Sequence, residues 1–125
     1  MSGQDLLLVA LGGAIGAVAR ALIDQAAARA GWLAEYGTLT INLAGSLLAG
    51  LIVTLIVERS LVPMELRPLL ITGLLGGFTT FSALSLQLSR LMTSGDPVGA
   101  AAYAVGSVAL GALCALVGAA IGRAL

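Results

Sequence analysis

Four long apolar stretches most constrain the fold of this chain: residues 6–23, 38–57, 69–92 and 98–121. Each has about the 20 residues that a helix needs to cross the hydrocarbon core of a bilayer. Of the 125 residues, 59% are hydrophobic and 10% are charged, whereas about a quarter are charged in a soluble domain. A domain of this size cannot bury so much apolar surface within itself. The sequence therefore predicts an all-α membrane protein of four transmembrane helices, in one domain over residues 1–125.

The links between the stretches are short, so neighbouring spans are expected to run antiparallel. Pro63, Pro68 and Pro97 lie in links or at span starts, where a missing N–H costs least. The N-terminal segment has no basic region before its apolar run and is not expected to be a cleaved signal. The links carry most of the charged residues: Asp24, Arg29, Glu35, Glu58, Arg59, Glu65, Arg67 and Asp96.

The arginines divide evenly between the two ends of the predicted bundle. All six positive side chains are Arg, with Arg59, Arg67 and Arg123 at one end and the others at the opposite end, namely Arg20, Arg29 and Arg90. Positive residues near span ends normally keep their side cytoplasmic. An even balance favours insertion in both orientations, and hence an antiparallel dual-topology homodimer. A weak bias set by the insertion machinery is the alternative.

Several classes of function are disfavoured by what the chain lacks. It has no His and one Cys, Cys114, which argues against most metal sites, disulfide frameworks and nucleophile–His catalysis. No Asp or Glu lies within a predicted span, whereas a proton-coupled transporter needs a titratable relay. No phosphate-binding loop suggests ATP-driven transport. An enzyme is therefore the least favoured class.

Neutral polar side chains within the spans are the remaining candidates for function. Asn42 is the most informative, because an amide in lipid costs free energy unless it is paired. It either bridges two helices, which is the commoner role, or donates N–H groups to an anion. Tyr103 and Ser107 are four residues apart and share a helix face, where they line a polar path or bond to neighbouring helices.

The segment GLLGGFTTFS, residues 73–82, is predicted to break the third span. Gly76 and Gly77 weaken a helix, and the threonines that follow compete for backbone hydrogen bonds. Backbone groups freed at membrane depth must be buried in protein or bind something, and free carbonyls attract a hard cation such as Na⁺. Phe81, beside the break, offers the electropositive edge of its ring. Anion-binding donors next to a cation-binding break favour ion permeation.

Three stretches in this order resemble the Fluc/CrcB family of fluoride channels: GGAIGAVAR at 12–20, GTLTINLAGSLLAG at 37–50 and GLLGGFTTFS at 73–82. The resemblance covers nearly the whole chain. It implies a passive fluoride-selective channel of the plasma (inner) membrane, which lowers cytoplasmic fluoride. It also implies an antiparallel homodimer with two pores and a structural Na⁺ at the dimer axis.

The same resemblance assigns roles to individual residues. The backbone carbonyls of Gly76 and Thr79, from both chains, would hold the Na⁺. Arg20 would lie in the vestibule. The fluoride pore would include Asn42, Phe81, Ser82, Leu84, Tyr103 and Ser107. Three positions depart from the family pattern: Leu84 replaces a second pore phenylalanine, Gln87 an acidic residue and Gly111 a hydroxyl. These changes affect the pore rather than the fold or the dimer.

Two other membrane functions compete with this hypothesis. A small four-span drug exporter of the small multidrug resistance type shares the size and dual topology, but it needs a Glu in the first span, and residues 6–23 contain no carboxylate. A structural protein, or a non-conducting partner subunit of a paired channel, would account for the glycines and for the altered pore positions. It would not account for Asn42 and the broken third span together.

Overall fold

The computed structural model describes residues 1–125 and consists of helices joined by short links. Four helical segments are long and apolar enough to cross a membrane: Gly3–Arg29, Ala34–Glu58, Met64–Thr93 and Pro97–Ala124. They confirm the four predicted spans, and each extends beyond its apolar stretch. Asp24, Arg29 and Glu35, predicted in the first link, lie inside helices instead, because a helix can continue into the interfacial region with polar residues.

The spans are built from five α-helices and two π-helical segments. The α-helices are α1 (Gly3–Arg29), α2 (Ala34–Val53), the single turn α3 (Gly76–Phe78), α4 (Phe81–Thr93) and α5 (Pro97–Ala124). Thr54–Glu58 extends α2 as a π-helix, Met64–Leu66 forms a 3₁₀ turn, and the π-helical Pro68–Leu75 leads into α3. Pro68 and Pro97 are the first residues of their segments, as predicted.

Glycines allow α1 to lie directly on the first half of the third span. A Cβ added at Gly12 would overlap the carbonyl oxygen of Leu69, and one added at Gly16 would overlap that of Leu74. From the other side, a Cβ at Gly77 would lie 2.5 Å from the carbonyl oxygen of Gly13. Gly12 and Gly16 are four residues apart on one face of α1, and this pair allows close backbone packing.

The second close pair is α2 with α5, which run parallel. Gly50 faces the carbonyl of Ala115. Gly111 faces Ser46, and a Cβ added at Gly111 would lie 3.5 Å from the Oγ of Ser46. Glu58 accepts two hydrogen bonds from Arg123, 65 residues later, at 2.8 and 3.0 Å. The contacts advance together along both helices, from Ser46 with Gly111 to Glu58 with Arg123, so α2 and α5 run in the same direction.

Most of the large apolar side chains point outward from the bundle. Only 16 of the 125 residues are buried, so the spans depend on lipid or on another chain to cover them. This surface agrees with a multi-pass membrane protein.

Candidate functional site

The third span is interrupted at Thr79 and Thr80, whose backbones are extended. The predicted break is confirmed, but Gly76 and Gly77 themselves remain in a helical turn. The side chain of Thr80 accepts a hydrogen bond from the N–H of Ala83 at 3.2 Å and so caps the start of α4. The Thr79 hydroxyl donates to the carbonyl of Leu75 at 2.9 Å.

Asn42, on α2, holds the backbone of the break through both ends of its amide. Its Nδ2 donates to the carbonyl of Thr80 at 3.0 Å, and its Oδ1 accepts from the N–H of Thr80 at 2.8 Å. A primary amide has two N–H groups, and the second has no partner in the chain. The helix-bridging role is therefore present in the structure, and one donor remains free beside it.

Arg20 contacts the backbone just before the break. It is nine residues before the end of α1, about 14 Å along the helix axis, and its Nε donates to the carbonyl of Gly77 at 3.2 Å. That carbonyl lacks an α-helical partner because the backbone turns away two residues later.

Two carbonyls at the break lack their α-helical partners. In a continuous helix, the N–H of Thr80 would donate to the carbonyl of Gly76. Here it donates to Oδ1 of Asn42 instead. The carbonyl of Thr79 accepts no hydrogen bond, since the N–H of Ala83 is taken by the Thr80 side chain. Both residues face an open groove. Unpaired carbonyl oxygens of unwound backbone are the kind of ligand that Na⁺ takes in membrane proteins.

The groove beside the break has a volume of about 440 Å³. Five of the nine residues predicted for the site line it: Asn42, Gly76, Thr79, Phe81 and Leu84. Phe81 is 79% exposed and Leu84 8% exposed, so the ring lies at the rim and Leu84 at the wall. Ser82 is exposed one residue beyond Phe81, with its Oγ 3.4 Å from that of Thr80.

Tyr103 belongs to a separate hydrogen-bonded chain of side chains. Its hydroxyl donates to Oε1 of Gln87 at 2.6 Å, and Nε2 of Gln87 donates to Oγ1 of Thr38 at 2.7 Å. Gln87 is buried, and it connects α2, α4 and α5. Sequence reasoning treated it only as a departure from a family pattern and missed this role.

Ser107 is the one residue of the site with a buried oxygen left unpaired. Its Oγ is buried and has no hydrogen-bond partner, whereas buried hydroxyls are nearly always paired. Polar residues at four-residue spacing form one stripe on each helix, on α2 at Thr38, Asn42 and Ser46 and on α5 at Tyr103 and Ser107. Gln87 joins the two stripes at Thr38 and Tyr103. Their shared four-residue spacing was a signal in the sequence that could have paired them.

Comparison with known proteins identifies close relatives over almost the full length. The family model described as CrcB-like protein, Camphor Resistance (CrcB), matches residues 7–119. The chain is 47% identical over 119 residues to the "Fluoride-specific ion channel FluC" of Rhizobium etli (strain CIAT 652), covering 94% of this chain and 95% of the relative. Proteins of the same name from Magnetococcus marinus (46% over 123 residues, 96% and 98% covered) and Chloroflexus aurantiacus (45% over 121 residues, 96% and 96% covered) are similarly close.

Proposed function

This chain belongs to the CrcB family, and from that premise we propose that it is a fluoride-selective channel, which lets F⁻ leave the cell passively. The relatives that are named fluoride-specific channels share about 45% identity with it over nearly the whole chain. The observation that carries the proposal is the groove at the break, where Asn42, Thr79 and Phe81 lie together on one face. No drug-exporter carboxylate and no catalytic group lies there.

The polar stripes of α2 and α5 supply the donors that fluoride needs. Fluoride is small and strongly hydrated, so a path must replace its water with closely spaced donors. Asn42 has a free N–H on α2, and Ser107 has an unpaired hydroxyl on α5. The edge of the Phe81 ring carries partial positive charge. Such neutral donors, without a fixed cation along the path, bind the anion weakly enough to release it.

Arg20 is the positive group nearest this path. Its guanidinium has one nitrogen on the Gly77 carbonyl, and the other N–H groups of the fork are not used within the chain. A partly buried cation at this depth raises the local concentration of anions. This supports a role for Arg20 in the vestibule, where it would attract anions to the path, as well as in holding the break.

The exposed groove suggests that two copies of the chain complete the pore. Phe81 is 79% exposed in one chain, although it lies at membrane depth beside polar groups that lipid cannot satisfy. A second copy, inserted in the opposite orientation, would cover the break with its own break. The arginines at the span ends are balanced, three against three, so the bias toward one orientation is weak.

The carbonyls of Gly76 and Thr79 fit a structural Na⁺ at such an interface. Both carbonyl oxygens lack an α-helical partner and could bind a cation. One chain provides only two such oxygens, which are too few to replace the water around the ion. Two chains would provide four. When bound, the ion would neutralise the partial negative charges of these carbonyls where the two breaks meet.

The channel activity is tested by reconstitution. Purified protein in liposomes loaded with fluoride should release it when a potassium ionophore is added, as followed with a fluoride electrode. Liposomes loaded with chloride are the control and should retain their anion. Equal release of both ions would contradict selectivity, and no release of fluoride would favour a non-conducting partner subunit.

Dual topology predicts that the link between the second and third spans reaches both sides of the membrane. In a Cys114→Ser background, Leu61→Cys places one thiol in that link, where the native side chain is 59% exposed. Membrane-impermeant maleimide should label about half of it from outside whole cells, and the rest only after lysis. Ser94→Cys in the opposite link is the matched control and should give the same fractions. Labelling of Leu61→Cys from one side alone would contradict the antiparallel pair.

The proposed Na⁺ predicts that fluoride efflux depends on a cation that exchanges slowly. Prolonged dialysis against N-methyl-D-glucamine should reduce efflux, and returning Na⁺ should restore it. Thr79→Ala should keep the dependence, because the backbone carbonyl and not the hydroxyl would bind the ion. Undiminished efflux after complete exchange, with no cation density at the break in a high-resolution structure, would overturn the site.

A further inference from the structure

A second cavity lies at the end of the bundle that holds the first and third links. It has a volume of about 260 Å³ between α1, α2 and α4. Asp24 and Trp32 line its walls, and Thr38 and Gln87, which are hydrogen-bonded to each other, also face it. The proposed fluoride path makes no use of Asp24 or Trp32.

The carboxylate of Asp24 is exposed and has no ion-pair partner, in the part of α1 that continues past the apolar stretch. The one ion pair of the chain joins Arg123 and Glu58, and Arg20, one turn before Asp24, donates to Gly77 instead. Asp24 lies five residues before the end of α1, about 8 Å along the axis. Its Oδ1 reaches toward α2, to 3.6 Å from where a Cβ on Gly37 would lie. Ionisable groups at such a position face water or a charged partner.

The lining of the cavity is complementary to a cation. Asp24 is its single charged residue, and no Arg lines it. A carboxylate gives charge-assisted hydrogen bonds to N–H donors, and an indole face attracts a cation within about 6 Å of the ring centre. We propose that the cavity between Asp24 and Trp32 binds a small organic cation of the ammonium or guanidinium class. Its volume suits a molecule smaller than the ligands of typical drug-sized pockets, which begin at about 300 Å³.

Such a cation would lie over the pair formed by Thr38 and Gln87. Gln87 also holds the hydroxyl of Tyr103, so the cavity opens onto one end of the polar stripes. A bound cation would therefore obstruct fluoride entering from this end. This consequence rests on the proposed channel function, whereas the binding itself does not.

Binding can be measured directly because Trp32 is the only tryptophan of the chain. Guanidinium chloride, at millimolar concentrations and against NaCl of equal ionic strength, should change the Trp32 fluorescence of the detergent-purified protein in a saturable way. Asp24→Asn should raise the Kd by roughly 10- to 100-fold through loss of a charged hydrogen-bond partner. Asp24→Glu should retain binding, and it tests the charge if the Asn variant folds poorly. Glu35→Gln, a carboxylate outside this cavity, is the matched control and should leave the Kd unchanged.

Further measurements identify the source of the cation and test whether its binding obstructs fluoride. Tetramethylammonium, which has no N–H, should bind more weakly than guanidinium. The Kd for guanidinium should also be compared between nanodiscs of phosphatidylethanolamine, whose headgroup carries an ammonium group, and nanodiscs of phosphatidylglycerol. A higher Kd in phosphatidylethanolamine would show that the lipid headgroup competes for the cavity. Equal Kd values would assign the cavity to the free cation. An absent saturable response, or an equal Kd in Asp24→Asn, would overturn the site. Saturable binding without any inhibition of fluoride efflux would overturn the obstruction alone.

Discussion

Fluoride efflux through the Asn42→Ala variant is expected to fall by roughly five- to a hundredfold per folded protein. Asn42 holds Thr80 by two hydrogen bonds of 3.0 and 2.8 Å, and its remaining N–H is free beside the groove. Losing a donor in a dehydrated site costs about 1–3 kcal/mol. At the barrier to ion passage, each ~1.4 kcal/mol lowers the rate tenfold. The substitution also frees the backbone of the break, so the measured loss belongs at the upper end of the range.

The measurement must separate transport from folding, because Asn42 also joins α2 to the break. Efflux should be compared at equal amounts of protein that elutes as an intact assembly in gel filtration. Thr40→Ala is the matched control, since Thr40 is exposed on α2 and its hydroxyl only donates to the carbonyl of Tyr36 one turn earlier. Efflux from Asn42→Ala that falls only in proportion to the folded protein would assign Asn42 a purely structural role.

Changes at Phe81 and Leu84 test the groove independently of hydrogen bonding. Phe81→Ile should lower efflux, because an aliphatic side chain of similar bulk lacks the positive ring edge. Leu84→Phe restores the aromatic residue of the family pattern in a groove of about 440 Å³, and it should maintain or raise efflux. Normal efflux from both Phe81→Ile and Asn42→Ala would place the pore elsewhere.

The sequence was sufficient for the features that depend on local composition. The length of each apolar stretch predicted the four spans, and the run of Gly and Thr predicted a break in the third. The sequence did not reveal the residue at which the helix ends before the break, because that end depends on hydrogen bonds from residues far away in the chain. Asn42 and Arg20 take up the backbone groups of Thr80 and Gly77, from 38 and 57 residues away. With those partners the helix ends after Phe78, and the two glycines stay helical to pack against α1.

The hydrogen bonds that join the helices inside the site also could not be predicted from local sequence patterns. Gln87 is one of several polar residues in α4, and its sequence neighbours do not show that it is hydrogen-bonded to Thr38 and Tyr103 on two other helices. The close approach of α2 and α5 depends on glycines of both helices, Gly50 and Gly118, each of which lies against backbone of the other helix. Polar residues at four-residue spacing predict a stripe on each helix, but only packing decides which stripes meet.

Gly16→Ala is expected to prevent the bundle from assembling, since a Cβ at Gly16 would overlap the carbonyl oxygen of Leu74 and lie 2.8 Å from the amide nitrogen of Phe78. Both atoms are backbone, so α1 must move away from the turn that precedes the break. Overpacking of this kind costs about 3 kcal/mol or more, and the shift would also pull Arg20 from Gly77. Little monodisperse protein should be recovered, with a markedly lower melting temperature in detergent.

Gly13→Ala is the matched control for this effect. It lies on the same helix, and its added Cβ would lie 3.9 Å from the carbonyl oxygen of Gly73, an ordinary contact. Both substitutions gain the same helix propensity, up to about 1 kcal/mol, so the difference between them isolates the packing against the third span. Gly13→Ala should therefore match or exceed the native melting temperature and retain fluoride efflux. Equal stability of the two variants would show that α1 can separate from the break without loss, and the contact would then be dispensable for the pore.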